Sequence, residues 1–191
     1  MAKKEIITIC GGLGSGKSST ANKVAEALGY QRFSSGDFFR QAAIDLGISV
    51  TELNIRSEKD PAVDLIVDEK LRNLRTAEKI VIDSRTAFHW IPESFKVYLD
   101  LPPEIAKDRV LQNLKENALR NKSEGGSGSV EEVYAKMIER FKSEQKRYWD
   151  LYKIDNTKKE NYDLVIDTNK NNLEQVVEII LEKYKEWTET N

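Results

Sequence analysis

From position 11 the chain reads Gly11-Gly12-Leu13-Gly14-Ser15-Gly16-Lys17-Ser18, followed by Ser19. Glycines let successive backbone N–H groups turn inward into a concave anion site, and a helix starting at the lysine adds the positive end of its dipole. A lysine placed there reaches the outer oxygens of a polyphosphate, and the hydroxyl of the next serine is a hard ligand for Mg²⁺. The run satisfies the Walker A pattern and assigns residues 11–19 to a nucleoside triphosphate, with Mg²⁺ beside Ser18. A guanine reader of the form Asn-Lys-x-Asp is not present, since the nearest approach is Asn169-Lys170-Asn171-Asn172, which lacks the carboxylate. ATP is therefore the expected nucleotide.

Two further stretches carry charge. Ser34-Ser35-Gly36-Asp37-Phe38-Phe39-Arg40 reads as a turn, a helix cap and an arginine one turn into the helix. Ile80-Val81-Ile82-Asp83-Ser84-Arg85 reads as a buried strand with a carboxylate and an arginine at its C-terminal end, the end where open parallel sheets bind ligands. Taken alone, Asp83 and Arg85 also fit a capping aspartate and an exposed arginine. An arginine fork suits a phosphate dianion because two N–H groups meet two oxygens in one plane. Arg140 and Arg147 stand seven residues apart on a helical pattern, so they share a face about 10 Å apart along the axis. That spacing suits a row of phosphates, while Lys136, Lys142, Glu144 and Lys146 around them equally fit a solvated charged face. After Pro61, Asp64, Asp68, Arg72 and Arg75 form a polar stripe that fits either i,i+4 salt bridges or a base reader. Cytosine offers an exocyclic amine next to a ring nitrogen and a carbonyl, and a carboxylate one turn from an arginine, Asp68 with Arg72, matches that order.

These residues need a scaffold. Residues 6–10 form a short β-branched run ending in glycines, and Lys17–Leu28 reads as a helix closed by Gly29. Further short apolar runs lie at 80–83, 96–101 and 162–167, with a minor strand at 31–34, and helical stretches separate them. Strands alternating with helices mean a parallel sheet covered on both faces, an α/β fold of three α/β/α layers with about five strands. At the end of the chain Leu173, Val176, Val177, Ile180, Tyr184 and Trp187 recur at helical spacing, with Asn171 or Asn172 as cap. Two regions depart from the alternation. Residues 37–76 read as helical throughout, with a helix over 37–46, a break at Gly47, and a helix after Pro61 whose stripe is Val63, Ile66, Val67, Leu71 and Leu74. Residues 103–152 hold two long helical patterns joined by the Gly/Ser-rich NKSEGGSGS, which reads as a hinged arm.

Composition bounds the function. A chain of 191 residues suits one domain, and 39% apolar with 32% charged residues is a globular balance. With 30 basic against 32 acidic residues, net charge is −2, so nothing favours nucleic acid or an anionic membrane as partner. The start, MAKKEIITIC, reads as neither a signal peptide nor a membrane span, and a cytoplasmic monomer is the expectation. Cys10 is the single cysteine and His89 the single histidine, which argues against a disulfide, a thiolate metal cluster or a histidine triad.

SSGDFFR at this distance after GGLGSGKSS resembles the monophosphate-binding signature of nucleoside monophosphate kinases in its cytidylate kinase form. The resemblance implies ATP-dependent phosphoryl transfer to CMP or dCMP, with Mg²⁺, on a single P-loop kinase domain over residues 1–191. It implies a monophosphate-binding insertion at 37–76 and a lid at 112–140. Ser35, Asp37, Arg40 and Arg85 would hold the acceptor phosphate, and Asp83, through water, would join Ser18 at the metal. The stretch from Val97 to Pro103, followed by Arg109, resembles the family's fourth strand and the start of its lid helix, with Arg109 beside the ATP phosphates or adenine. Residues 162–168 resemble the last strand, whose following loop wraps the adenine. An aspartate-bearing helix at Asp68 and a tryptophan like Trp90 lean the same way, and Lys17, Arg85, Arg140 and Arg147 would act on the transferring group. Asp-Ser-Arg at 83–85 departs from the family's more frequent Glu-Gly-Arg but keeps its charges. The alternatives are another small-molecule P-loop kinase, such as one for adenylate, or a nucleotide-binding regulatory protein.

Overall fold

The computed structural model describes residues 4–116 and 129–190. Five strands, β1 (Ile6–Gly11), β2 (Gln31–Ser34), β3 (Ile80–Asp83), β4 (Phe95–Asp100) and β5 (Leu164–Asp167), form one parallel sheet in the order β2-β3-β1-β4-β5. β1 lies in the middle and is buried along its whole length. A strand covered on both faces needs no polar alternation, and its polar side chain, Thr8, is buried and shares a hydrogen bond with the Ser94 hydroxyl at 3.0 Å. Its side chains still alternate. Ile7 and Ile9 join Val81, Val97 and Leu99 against α1 (Lys17–Leu28) and the last helix, α8 (Leu173–Glu189). Ile6 joins Ile80 and Ile82 against α4 (Ala62–Asn73) and α5 (Ala87–Trp90) on the other face. The result is the three-layer α/β/α fold.

Between β2 and β3 the chain adds α2 (Ser35–Asp45), α3 (Val50–Lys59) and α4, which share a small core of Ala42, Ala43, Leu53 and Val63. Between β4 and β5 it adds α6 (Pro103–Glu116) and α7 (Val130–Tyr152), locked together by Val110, Leu114, Val133 and Met137. α7 opens with a capping box in which Ser129 and Glu132 satisfy each other's backbone N–H groups. The tip of the expected lid, with its glycine-rich run, lies outside the described residues apart from Ser129.

Most expected boundaries hold to within two residues, and the departures have local causes. α3 was not separated from its neighbours in the sequence, although Ser49 accepting from the Glu52 N–H at 3.0 Å is a capping signal that the Ser-x-x-Glu spacing carries. Ile66 does not join the α4 stripe. It is 43% exposed, because Val63, Val67 and Leu71 at i, i+4, i+8 already fill the buried face. β5 starts at Leu164, not 162. Asp163 accepts from the Lys96 N–H at 2.8 Å through its side chain, and the Tyr162 hydroxyl donates to the Asn156 carbonyl, so both residues are used as anchors before the ladder begins.

Candidate functional site

The loop between β1 and α1 is shaped by close contacts. A Cβ on Gly11 would lie 2.6 Å from the Leu99 carbonyl, and one on Gly14, at φ +70°, would lie 2.9 Å from the Ala106 carbonyl. Gly11 thus lets the loop leave the sheet beside β4, and Gly14 lets α6 close onto it. Gly16 caps α1 in the left-handed region without any side-chain bond. The first N–H groups of α1 therefore stay open to an anion. The Lys17 ammonium donates to the Gly12 carbonyl at 2.9 Å. Burial, with Arg85 nearby, pulls its pKa down to about 8. A cation held this close to losing its proton gains most when anionic oxygens arrive.

β3 brings Asp83 against the loop. Its carboxylate accepts from the Ser18 hydroxyl at 2.5 Å, and the side chain is almost wholly buried. Hard oxygens from Ser18 and Asp83 side by side suit Mg²⁺ bound largely through phosphates and water. Among the described residues no group of three His, Cys, Asp or Glu side chains could hold a metal alone.

Of the arginines around the same cleft, four have a carboxylate partner. Arg40, half exposed, reaches Asp37 at 2.6 Å. Arg85 pairs with Glu144 and lies over the Phe141 ring at 4.8 Å, while Arg140 lies 3.7 Å from the same Glu144. Arg147 is 8% exposed and donates to both oxygens of Asp64, at 2.7 and 3.4 Å, and to the Ser143 hydroxyl. Burial pushes the Asp64 carboxyl up while the bonds from Arg147 draw it down, the net direction being up. Asp68, one turn further along α4, accepts from Tyr152 at 2.5 Å, from Trp90 Nε1 at 3.0 Å and from Thr86 at 3.5 Å. Burial raises its pKa too, against those donors. Arg109 donates to the Thr168 carbonyl at 2.7 Å, tying α6 to the loop after β5.

A cleft of about 580 Å³ joins these features. It is lined by residues 13–19 and by Ser35, Arg40, Asp68, Asp83, Arg85, Arg109, Arg140 and Arg147, all expected from the sequence. Gly11, Gly12, Asp37 and Arg72 do not line it. For Arg72 this is a correction. Its guanidinium lies 3.9 Å from the Trp90 ring centroid, and the Asp68 oxygens accept from Trp90, Thr86 and Tyr152 instead, so the expected Asp68–Arg72 pair is not formed at the cleft. The sequence reading also missed cleft residues. Glu144 fitted a solvated face, yet it is partly buried between Arg85 and Arg140, and its i+4 spacing from Arg140 was the available signal. Asp64 and Tyr148 line the cleft as well, and burial, then the nearby Glu144, raise the Tyr148 pKa well above the phenol range.

A family model described as an AAA domain matches residues 7–134. A cytidylate kinase of Natronomonas pharaonis is 37% identical over 166 residues, covering 85% of this chain and 80% of that protein. A cytidylate kinase of Methanosarcina barkeri is 33% identical over 178 residues, 91% and 93% of the two chains. In fold the chain is similar to a shikimate kinase from Acinetobacter baumannii in complex with shikimate, with TM-score 0.63 at 17% identity over 98% of this chain and 96% of that one.

Proposed function

We propose, for a chain that belongs to the cytidylate kinase family, that it transfers the γ-phosphoryl group of ATP to CMP or dCMP, giving ADP and CDP or dCDP. It is a phosphotransferase of the nucleoside monophosphate kinase kind; the pyrimidine acceptor and the residue roles are our reading. The observation that carries this reading is one cleft lined both by a phosphate loop and by Arg40, Arg85 and Arg147 with two buried aspartates, Asp64 and Asp68.

An acceptor phosphate oxygen is already ionised, so the transfer needs neither a covalent intermediate nor a strong base, and the barrier lies in charge and alignment. In this reading the loop N–H groups and Lys17 take the outer phosphates of ATP, with Lys17 exchanging the Gly12 carbonyl for phosphate oxygens. Arg109 and the loop after Thr168 border the adenine. Ser35, Arg40 and Arg85 hold the acceptor phosphate in line, Asp37 sets the position of Arg40, and Arg140 and Arg147 supply positive charge between donor and acceptor. Ser18 and Asp83 would hold Mg²⁺, which when bound neutralises phosphate charge. The insertion at 37–76 is assigned to the monophosphate and residues 112–140 to the lid.

Asp68 is assigned to the base. Three protein donors fix the carboxylate, and a remaining lone pair can accept the cytosine amine. A coupled assay across all nucleoside monophosphates tests the reading. Phosphorylation of CMP and dCMP well ahead of AMP and GMP is expected, and Asp68→Ala should lose the preference for CMP over UMP, because a site built for one hydrogen-bond pattern rejects its reverse. Preference for AMP would overturn the assignment, as would an Asp68→Ala variant with its selectivity intact.

A further inference from the structure

We infer that Arg32, which does not line the cleft, is a positioning residue that holds the metal-side carboxylate and the acceptor-side carboxylate in one fixed relation. The inference rests on the proposed roles of Asp83 and Arg40. Arg32 projects from β2, whose register sets Arg32 beside Val81 and Ser34 beside Asp83. Its Nη2 lies 3.3 Å from Asp83 Oδ2, and its Nη1 lies 3.3 Å from Asp37 Oδ2. On one side Asp83 Oδ2 also accepts from Ser18 at 2.5 Å. On the other, Asp37 gives its second oxygen to Arg40 at 2.6 Å. The sequence Ser18, Asp83, Arg32, Asp37, Arg40 is thus an unbroken chain of polar contacts from the phosphate loop to the acceptor arginine. Ser18, Asp83 and Arg40 line the cleft, and Arg32 and Asp37, which do not, connect them.

Charge explains why an arginine belongs there. Asp83 is 5% exposed, and a buried carboxylate among phosphates is costly without a cation beside it. Lysine, a point charge, can neutralise one carboxylate; the planar fork of arginine spans two. Asp37, left to Arg40 alone, would compete with the acceptor phosphate for that guanidinium. Arg32 takes one Asp37 oxygen and so leaves Arg40 freer to turn to a phosphate. The Arg32 Nε is buried without a hydrogen-bond partner among the described residues, so the side chain is held where its two outer nitrogens reach the carboxylates even at the cost of its third donor.

The test is titration calorimetry on the full chain and on Arg32→Met and Arg32→Lys, with CMP alone, ATP alone, and ATP with Mg²⁺. For Arg32→Met, CMP affinity should fall about tenfold with neither ATP nor metal present, the effect of losing one charge-assisted contact. Metal-free ATP should weaken several-fold, because Asp83 then faces the phosphates with one cation fewer beside it, Lys17 and Arg85 remaining, and Mg²⁺ should restore most of that loss by replacing the missing cation. Arg32→Lys should recover the ATP response more fully than the CMP response. A folded Arg32→Met that binds CMP within twofold of wild type overturns the inference, and so does an equal loss for all three titrations, which would mark simple structural damage. Should Arg32→Met not fold, Arg32→Lys decides: the split between ATP and CMP supports the inference, and wild-type affinity for both overturns it. A wild-type chain that binds no monophosphate overturns the proposed acceptor site itself, whereas an unaltered Arg32→Met in a chain that does bind CMP overturns only the role of Arg32.

Discussion

The two ends of the cleft are built in different ways. At the donor end, the groups assigned to ATP phosphates lie within nine consecutive residues and are mostly backbone N–H groups, shaped by glycines and a helix start. At the acceptor end the parts come from far apart: Arg85 meets Glu144 59 positions on, and Arg147 meets Asp64 83 positions back. A phosphate site made of backbone needs only local conformation. One made of arginines needs carboxylates to hold them until phosphates arrive, since unpaired buried cations are unfavourable. The donor end should therefore fail in chemistry when altered, and the acceptor end in stability and affinity.

The sharpest break in that comparison is Asp64→Ala, which strands Arg147 in a buried position. Removing one member of a buried pair costs about 3 kcal/mol or more of folding stability, readable in a denaturant titration. A loss below about 1 kcal/mol would mean that the acceptor end is not held by this pair. Lys17→Ala should leave stability near wild type and lower turnover about a hundredfold or more, roughly 3 kcal/mol of barrier. A folded variant with near-native turnover would remove the loop from the chemistry. Arg40→Ala and Arg85→Ala should weaken CMP binding by roughly 2 kcal/mol each while ATP binding changes far less. Equal losses for both ligands by direct titration would erase the distinction between the ends.

The smallest effect is the pH response of the donor end. With its pKa near 8 in the free chain, Lys17 is charged below that pH and neutral above it. Phosphates bound beside it favour the charged form, so binding above pH 8 must take up a proton. ATP affinity should be flat below about pH 8 and fall by up to tenfold per pH unit above it. Lys17→Met should flatten the profile. CMP affinity, measured alone over the same range, should lack this inflection, and one of equal size there would place Lys17 at the acceptor.

How far each part could be read ahead follows from the same division. β1, α1 and the intervening loop were legible because glycine, lysine and a β-branched run act through neighbours in sequence. β2 and β3 agreed to the residue for a similar reason, as each short run is bounded by its own turn. The Ser49 cap of α3 was legible too and passed unread. Glu144 was not, since a glutamate flanked by lysines looks solvated until α7 is laid across the end of β3. Arg72 shows the reverse error: its i,i+4 spacing from Asp68 is right for a pair, but the indole of Trp90, brought in from α5, offers both residues better partners.

From its residues alone the chain determines a parallel α/β/α sheet, a phosphate loop at the end of its first strand, and which arginines and aspartates it has to place around that loop. Those follow from periodicity, glycine conformations and side-chain chemistry, all local properties. Only the tertiary structure decides which carboxylate holds which arginine, that Arg72 leaves the cleft while Asp64 and Glu144 enter it, and that Arg32 joins Asp83 to Asp37. Ion pairing inside a protein is a contest among every partner that packing brings within about 4 Å, and that contest has no image in the spacing of residues along the chain.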